Sequence, residues 1–330
     1  MSRKIAVIGS NSFSGADFID LLLEDPHNEV IGLSRSVEKD ELFLAYHRHQ
    51  KAPYHFYQFD LNQDVERINK LFDSFCPEYI VNFAAQSEVE PSWSAPWDWM
   101  ETNTVSLTHL IDHLKDVKYL KRYVHISSPE IYGSCRGKVK EDAPLNPSTP
   151  YAASKAAADM LLLTYVKNFN FPVVMVRSTN VYGARQQLFK IIPKTIIAVK
   201  SGSILELDGG GEAIKSYIHI RDVSRGELQA MLYGQKRQVY HFSPDEGIAV
   251  KDLVKMVCEL MGASFREVVR DVEDRLGQDS VYSIDSSKAR EEFHWRPTIP
   301  LSEGIPEVID WVNTNWKRIQ QVPHTYIHKF

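Results

Sequence analysis

Residues 5–15 read Ile-Ala-Val-Ile-Gly-Ser-Asn-Ser-Phe-Ser-Gly. The apolar run at 5–8 predicts a buried strand, and an amphipathic helix is predicted from residue 16 to 24. Small residues between such a strand and helix allow the backbone to approach a pyrophosphate at the helix N-terminus. The usual glycine-rich fingerprint has a third glycine near Ser12, so an ordinary strand-turn-helix junction fits the segment as well.

Strand-like and helical patterns alternate from this segment onward. Alternation of this kind predicts right-handed crossovers and a parallel sheet, and therefore a Rossmann-type, doubly wound α/β fold. The predicted strands are 5–8, 29–33, 56–59, 79–84, 122–126 and 172–176, and the predicted helices are 16–24, 65–74, 105–114 and 151–169.

The alternation weakens after about residue 183. Helical patterns at 191–200, 224–233 and 250–261 are mixed with short extended pieces such as 239–242. We expect residues 1–183 to form a dinucleotide-binding domain that carries the catalytic residues. Residues 184–330 are expected to form mainly a smaller substrate-binding lobe, from which the chain could cross back to the sheet.

Composition narrows the class of protein. The chain has 330 residues, of which 43% are hydrophobic and 25% charged, as in a globular protein, and its net charge is −5. This balance argues against a nucleic-acid or anionic-membrane binder. The three cysteines, Cys76, Cys135 and Cys258, are far apart and predict neither a disulfide framework nor a metal site. With no signal peptide or membrane span recognised, a cytoplasmic location is expected.

The end of the second predicted strand bears on the choice of cofactor. Ser34-Arg35-Ser36 has no acidic residue that could accept from a ribose 2′-hydroxyl, whereas Arg35 and the serines could hold a 2′-phosphate. NADP is therefore slightly favoured over NAD, although a solvated arginine fits equally well. Asp60-Leu61 follows the third strand, where Asp60 could bond an adenine amino group or cap a turn.

A Tyr-x-x-x-Lys pair identifies a candidate catalytic centre. In Tyr151-Ala-Ala-Ser-Lys155 the phenol and the ammonium group lie four residues apart, on one face of a helix. Lys155 is expected to lower the pKa of Tyr151 and to bond a nicotinamide ribose. Tyr151 could then act as a base towards an alcohol that is being oxidised.

Three further segments accompany this pair: Asn82-Phe-Ala-Ala-Gln-Ser-Glu-Val89, Ser127-Ser-Pro-Glu-Ile-Tyr-Gly133 and Arg177-Ser-Thr-Asn-Val-Tyr-Gly183. In order and spacing, the set resembles the extended short-chain dehydrogenase/reductases (the NAD-dependent epimerase/dehydratase family) over almost the whole chain. It is most similar to the nucleotide-sugar 4,6-dehydratase branch, in which a Ser or Thr is followed two positions on by Glu. The branch includes the GDP-mannose and dTDP-glucose 4,6-dehydratases.

The resemblance implies roles for many residues. Ser128 is the hydroxyl partner of Tyr151, and Glu130 is the base that removes the proton at sugar C-5. The residues implied in cofactor binding are Gly9, Asn11, Ser12, Phe13, Ser14, Gly15, Ser34, Arg35, Ser36, Asp60, Leu61, Ala84, Ala85, Gln86, Asn103, Tyr151 and Lys155. Those implied in binding a nucleotide-diphosphate hexose are Ser87, Glu88, Ser128, Glu130, Asn180, Lys190, Lys215 and Arg275.

The implied reaction is an internal redox dehydration. Oxidation at C-4 gives a keto sugar, which acidifies the C-5 proton; loss of the C-6 hydroxyl as water and return of the hydride then give a 4-keto-6-deoxy sugar. The cofactor ends as it began, so it should remain bound.

Pro129 departs from the family pattern, because related enzymes often carry there an Asp that protonates the leaving hydroxyl, or a Ser. Glu130 could serve as both base and acid, or another residue such as Glu88 could supply the proton. The reaction could also take a variant course, such as release of the 5,6-unsaturated sugar or epimerisation at C-5.

Two other functions compete with the dehydratase prediction, and the resemblance also implies a homodimer. A nucleotide-sugar epimerase or 4-oxidoreductase uses the same scaffold; Glu130 argues against it and Pro129 keeps it open. A catalytically silent nucleotide-binding protein is the rival from another class, since fold alone does not fix function. A homodimer is expected, with helices 105–114 and 151–169 of each subunit packed in a four-helix bundle.

Overall fold

The computed structural model describes residues 2–135, 137–273 and 283–329. The strands, in chain order, are β1 (Arg3–Ile8), β2 (Asn28–Ser34), β3 (Tyr54–Gln58), β4 (Tyr79–Asn82), β5 (Arg122–Ile126), β6 (Lys138–Val139), β7 (Val173–Ser178), β8 (Asn180–Tyr182), β9 (Leu205–Asp208), β10 (Ile214–Lys215), β11 (Tyr217–His219), β12 (Val239–Phe242), β13 (Ile248–Ala249), β14 (Val269–Val272) and β15 (Ser283–Ile284).

The α-helices are α1 (Phe13–Leu22), α2 (Val65–Phe75), α3 (Pro91–Ser94), α4 (Pro96–Met100), α5 (Ser106–Leu114), α6 (Pro150–Phe169), α7 (Ile191–Ser201), α8 (Ile220–Tyr233), α9 (Val250–Leu260), α10 (Phe265–Val268), α11 (Ser287–Phe293), α12 (Leu301–Thr314) and α13 (Trp316–Ile319). Short 3₁₀ turns lie at Ala45–Arg48, Pro129–Tyr132 and Gly209–Gly211, and a π-helical turn at Glu101–Val105 leads into α5.

Seven strands form the central sheet in the order β3-β2-β1-β4-β5-β7-β12, and every neighbouring pair is parallel. The predicted doubly wound fold is therefore confirmed. The strand order reverses between β1 and β4, which opens a crevice at the carboxyl ends of these strands, where such folds bind ligands.

Burial on both faces explains the continuous apolar strands. Ile5 and Val7 pack in one core with side chains of α1 and α8, such as Phe18 and Val223. The intervening Ala6 and Ile8 pack on the opposite face with side chains of α2, α5 and α6, such as Phe72. Because successive strand residues point to opposite faces, a strand covered by helices on both sides must be apolar throughout.

The chain beyond residue 183 contributes to two regions. β12 pairs with β7 and completes the edge of the sheet. A separate core joins α7, α9 and α12 through side chains such as Ile196, Val257 and Val308. The division at residue 183 remains a prediction. Within the described residues, no helix is both long and apolar enough to cross a bilayer.

Candidate active site

The turn between β1 and α1 needs glycine at two positions. Gly9 has a φ of 86°, and a Cβ there would lie 2.7 Å from the backbone nitrogen of Ala84. A Cβ on Gly15 would lie 2.5 Å from the carbonyl oxygen of Gly9. The Ser12 hydroxyl accepts a 3.0 Å hydrogen bond from the Gly15 backbone N–H and caps α1. The helix thus begins earlier than predicted, and Ser12 has a structural role at the place of the third glycine.

A cavity of about 270 Å³ lies at the switch point. Most of the predicted cofactor residues line it together: Gly9, Asn11, Ser12, Ser34, Arg35, Ser36, Asp60, Leu61, Ala84, Ala85 and Gln86. Ser87 and Glu88, predicted to bind the sugar, line it as well. The crowded glycine turn and this lining fit a dinucleotide whose pyrophosphate approaches the start of α1.

Other predicted cofactor residues do not line this cavity: Phe13, Ser14, Gly15, Asn103, Tyr151 and Lys155. The Phe13 side chain faces a different cavity, on the α8 side of the sheet, with Asp17 and Arg221. The side-chain oxygen of Asn103 accepts from the Gln86 N–H at 2.9 Å, and its amide nitrogen donates to the Gln86 carbonyl at 3.0 Å. Asn103 therefore holds the loop after β4 in place.

Sequence reasoning missed several residues of the cavity wall: Lys39, Thr102, Gln187, Phe189, Tyr326, Ile327 and Lys329. Lys39 follows the Ser34–Ser36 segment closely, and its position was a usable signal. Residues 326–329 are more than 140 positions away from the last of the motifs, and no sequence pattern connects them to the cavity.

The four predicted catalytic residues come from α6 and from the loop after β5. Thr149 caps α6, because its hydroxyl accepts from the Ala152 N–H at 3.1 Å. Ser128 likewise caps the 3₁₀ turn at Pro129–Tyr132 by accepting from the Glu130 N–H at 3.2 Å. The Ser128 hydroxyl also hydrogen-bonds to the phenol of Tyr151.

The environment of Tyr151 favours the neutral phenol. Burial raises the pKa of Tyr151, the charges of Glu130 and Glu88 raise it further, and the hydrogen bond from Ser128 opposes them. The two carboxylates therefore lie close enough to act on the phenol. The expected lowering of the Tyr151 pKa by Lys155 is wrong for this structure, since burial and negative charge dominate.

Lys155 is buried and points towards the end of β5. Its ammonium group donates a 2.7 Å hydrogen bond to the carbonyl oxygen of Ile126. Burial lowers the pKa of Lys155 to about 8, and the nearby carboxylate of Asp159 opposes the change. A lysine with this pKa can exchange a proton near neutral pH.

Asp159 is the centre of a buried polar network that sequence reasoning did not find. Its Oδ2 accepts from the Ser127 hydroxyl at 2.7 Å and from an Arg177 Nη2 at 2.8 Å. Asp159 lies four residues after Lys155, on the same face of α6, and this spacing was the available signal. The network links the helix that carries Tyr151 to β5 and β7.

Among the residues predicted to bind the sugar and the diphosphate, some contact one another and others contact the backbone. The Lys190 ammonium group contacts both carboxylate oxygens of Glu88, at 2.7 and 3.0 Å. Asn180 bonds the Ser216 carbonyl through its backbone and side-chain nitrogens, beside Lys215 on β10. Arg275 lies outside the described residues.

No cluster of three or more metal-ligating side chains occurs in the described part of the chain.

The parallel sheet, the glycine turn at its switch point and the Ser128–Tyr151 contact together define a short-chain dehydrogenase/reductase. A family model described as GDP-mannose 4,6 dehydratase matches residues 7–308. The chain therefore belongs to this family, which confirms the resemblance inferred from the motifs.

Individual relatives agree with this assignment. The dTDP-glucose 4,6-dehydratase of Streptomyces niveus is 33% identical over 72% of this chain and 70% of its own length. The structure of DesIV, a dTDP-glucose 4,6-dehydratase from Streptomyces venezuelae with NAD bound, gives a TM-score of 0.89 at 29% identity and covers 96% of this chain and 98% of that chain. A UDP-glucuronic acid 4-epimerase from Bacillus cereus shares the fold, with a TM-score of 0.85 at 24% identity over 94% of this chain and 99% of that chain.

Proposed function

We propose that this protein is a nucleotide-sugar 4,6-dehydratase that works by internal redox with a bound nicotinamide dinucleotide. The observation that carries the proposal is the meeting of Ser128, Glu130 and Tyr151: a hydroxyl bonded to the phenol and a carboxylate whose charge acts on it. A dehydration needs a carboxylate base in addition to the Ser-Tyr-Lys set that oxidises the alcohol, and Glu130 supplies that group.

The first half of the reaction belongs to Tyr151. Tyr151 acts as the phenolate, which the hydrogen bond from Ser128 favours against the effect of burial. The phenolate takes the proton of the C-4 hydroxyl and becomes the phenol, while the Ser128 hydroxyl orients the C-4 oxygen. The Lys155 ammonium group adds a positive charge beside the sheet end and binds the nicotinamide ribose. A nicotinamide cofactor, when bound, would supply the hydride chemistry at C-4 and C-6.

The second half belongs to Glu130. The carbonyl at C-4 acidifies the C-5 proton, and the Glu130 carboxylate removes it. We assign the protonation of the departing C-6 hydroxyl to Glu130 as well, because Pro129 is buried and has no side-chain proton. Glu88 is a poorer donor, since a carboxylate bonded to the Lys190 ammonium group accepts rather than donates.

Epimerisation or 4-oxidoreduction is the second candidate. Pro129 favours it, because an enzyme that does not expel the C-6 hydroxyl needs no acid at that position. Release of the 5,6-unsaturated sugar is a third course. It uses the same two steps at Glu130, which are removal of the C-5 proton and protonation of the departing C-6 hydroxyl. The products differ, since only the two dehydrations change the mass of the sugar by one water.

For the cofactor, we infer a preference for NADP over NAD. Arg35, Ser34 and Ser36 line the cavity beyond β2, and Lys39 adds a second cation there. A 2′-phosphate carries two negative charges and several acceptor oxygens, which this lining suits better than a neutral 2′-hydroxyl.

For the substrate, the proposed diphosphate contacts are Asn180, Lys190 and Lys215, with Arg275 as a fourth. Residues 184–330 would then form the lobe that recognises the nucleotide, while Ser87 and Glu88 face the sugar. Lys190 already pairs with Glu88, so an incoming diphosphate would compete with that carboxylate and link substrate binding to the sugar site.

The assembly and location are also proposals. Val105, Met160 and Leu163 are exposed on the helical surface formed by α5, α6 and the turn before α5. A second copy packed there would cover these apolar side chains, which supports a homodimer built as a four-helix bundle. The three widely spaced cysteines, which predict no disulfide framework, agree with a cytoplasmic location.

Mass spectrometry tests the proposed function directly. The purified protein would be incubated with UDP-, dTDP-, GDP- and CDP-hexoses, in parallel with the Glu130→Gln and Glu88→Gln variants. The proposal expects loss of one water from at least one sugar, abolished by Glu130→Gln and retained by Glu88→Gln. A new isomer of unchanged mass that survives Glu130→Gln would make the protein an epimerase.

A further inference from the structure

Residues 322–329, which follow α13, run across the candidate cofactor cavity. Tyr326, Ile327 and Lys329 form part of its wall, together with residues at the ends of β1, β2 and β4. A dinucleotide in this cavity would therefore contact both the sheet ends and this segment. We call residues 322–329 the strap.

The strap is fastened to the dinucleotide-binding side by polar contacts. The Lys329 carbonyl oxygen accepts a 2.8 Å hydrogen bond from the Gln86 side chain, and the Lys329 ammonium group donates to the Ser36 hydroxyl at 3.3 Å. Gln86 and Ser36 follow β4 and β2, two strands whose ends border the cavity. Lys329 thus bridges the loops that follow β4 and β2.

Aromatic contacts fix the middle of the strap. The His328 ring stacks on the buried Trp99 ring, with the centroids 5.1 Å apart and the planes at 9°, and its Nε2 lies 2.8 Å from a carboxylate oxygen of Asp98. The Tyr326 ring meets Phe189, just before α7, edge to face at 5.5 Å. The strap therefore joins the part of the chain that precedes α7 to α4.

Charge at the strap complements a phosphorylated ligand. Lys329 and Lys39 lie close enough for the charge of Lys329 to lower the pKa of Lys39, and burial lowers it more. Arg35 lines the same cavity. Cations held near one another repel, and an anion placed between them relieves that repulsion.

We propose that the strap closes over the bound cofactor and holds it between turnovers. The inference rests on the proposed function in one respect: an internal redox reaction regenerates its cofactor, so slow cofactor exchange carries no kinetic penalty. The Gln86 and Ser36 contacts must break, and Tyr326 must leave Phe189, before a dinucleotide can pass. Removing the strap should therefore increase the rate of cofactor release.

The test compares release rates in the full chain and in a variant that ends at Gln321. NADPH and NADH are loaded separately and chased with an excess of the oxidised form, while stopped-flow fluorescence follows dissociation. We expect release at least about ten-fold faster from the shortened variant. An unchanged release rate would overturn the proposal.

Point variants guard against misfolding of the shortened chain. Tyr326→Ala and His328→Ala should each accelerate release, whereas Thr325→Ala, an exposed residue of the same segment, should not. Equal effects of all three substitutions would also overturn the proposal. Release is measured without any sugar, so the strap and the dehydratase assignment can fail independently.

Discussion

The ammonium group of Lys155 donates its 2.7 Å hydrogen bond to the carbonyl oxygen of Ile126, the last residue of β5. The contact fastens α6 to the sheet at the point where the chain continues into Ser127 and Ser128. Tyr151 lies one turn earlier on the same helix. Together with the Asp159 network, this bond positions the phenol relative to the hydroxyl and the carboxylate that work with it.

Replacing Lys155 by Met should stabilise the protein at pH 7 while it removes activity. Burial lowers the pKa of Lys155 to about 8 in the folded chain, whereas the pKa is near the usual lysine value of 10.5 in the unfolded chain. Burying the charged form therefore costs free energy below pH 8, and we expect the variant to gain about 1–2 kcal/mol after loss of the bond to Ile126.

The pH dependence of that gain is the decisive part. Between pH 8 and pH 10.5 the unfolded chain binds more protons than the folded one, so the free energy of unfolding of the unmodified protein rises with pH. Urea denaturation at several pH values should show the advantage of Lys155→Met shrinking across this interval. An advantage that stays constant or grows with pH would contradict the assignment.

Replacing Asp159 by Asn should move the pH profile of activity. The Asp159 charge raises the pKa of Lys155 against the effect of burial, so without it Lys155 loses its proton at lower pH. The alkaline limb of kcat should then shift to lower pH. The substitution should also lower the free energy of unfolding by about 3–5 kcal/mol, because it leaves the buried Arg177 charge without its carboxylate partner. A merely structural role would lower stability and leave the limb in place.

Replacing Gly9 by Ala should abolish cofactor binding, because the added Cβ would press against the Ala84 backbone at 2.7 Å. Gly202→Ala is the matched control: its φ of 66° is also positive, but no atom lies within 4 Å of the added Cβ. Both variants should lose about 1 kcal/mol from backbone strain. Only Gly9→Ala should lose binding of NADPH and NADH in isothermal titration. Equal binding by the two variants would remove Gly9 from the cofactor site.

Replacing Arg35 by Ala should weaken NADPH binding about ten-fold or more and leave NADH binding within about two-fold, because only the former ligand carries a 2′-phosphate. Fluorescence titration with each nucleotide measures the two dissociation constants. Equal losses for both nucleotides would show that Arg35 does not discriminate between them.

The sequence was sufficient to predict the sheet, because β1, β4, β5 and β7 are short apolar runs separated by amphipathic helices. The sequence also predicts catalytic roles for Ser128, Tyr151 and Lys155, because each lies in a short motif; these roles stay predictions. The strap could not be predicted, since its contacts depend on where the chain after α13 crosses the crevice. The sequence predicts a lowered pKa for Tyr151, whereas the structure raises it. Burial and two carboxylates from different segments raise this pKa, and they act on the phenol only in the folded chain.

A single-turnover experiment with Glu130→Gln tests the central claim, that Glu130 is the base at C-5. The enzyme loaded with oxidised cofactor is mixed with the nucleotide sugar it accepts; absorbance follows reduced nicotinamide, and quenched samples are weighed by mass spectrometry. We expect the unmodified protein to yield a sugar lighter by one water, with no lasting reduced cofactor. Glu130→Gln should stop at the 4-keto sugar, with the cofactor reduced and no water lost. Loss of water from Glu130→Gln at nearly the unmodified rate would contradict the account.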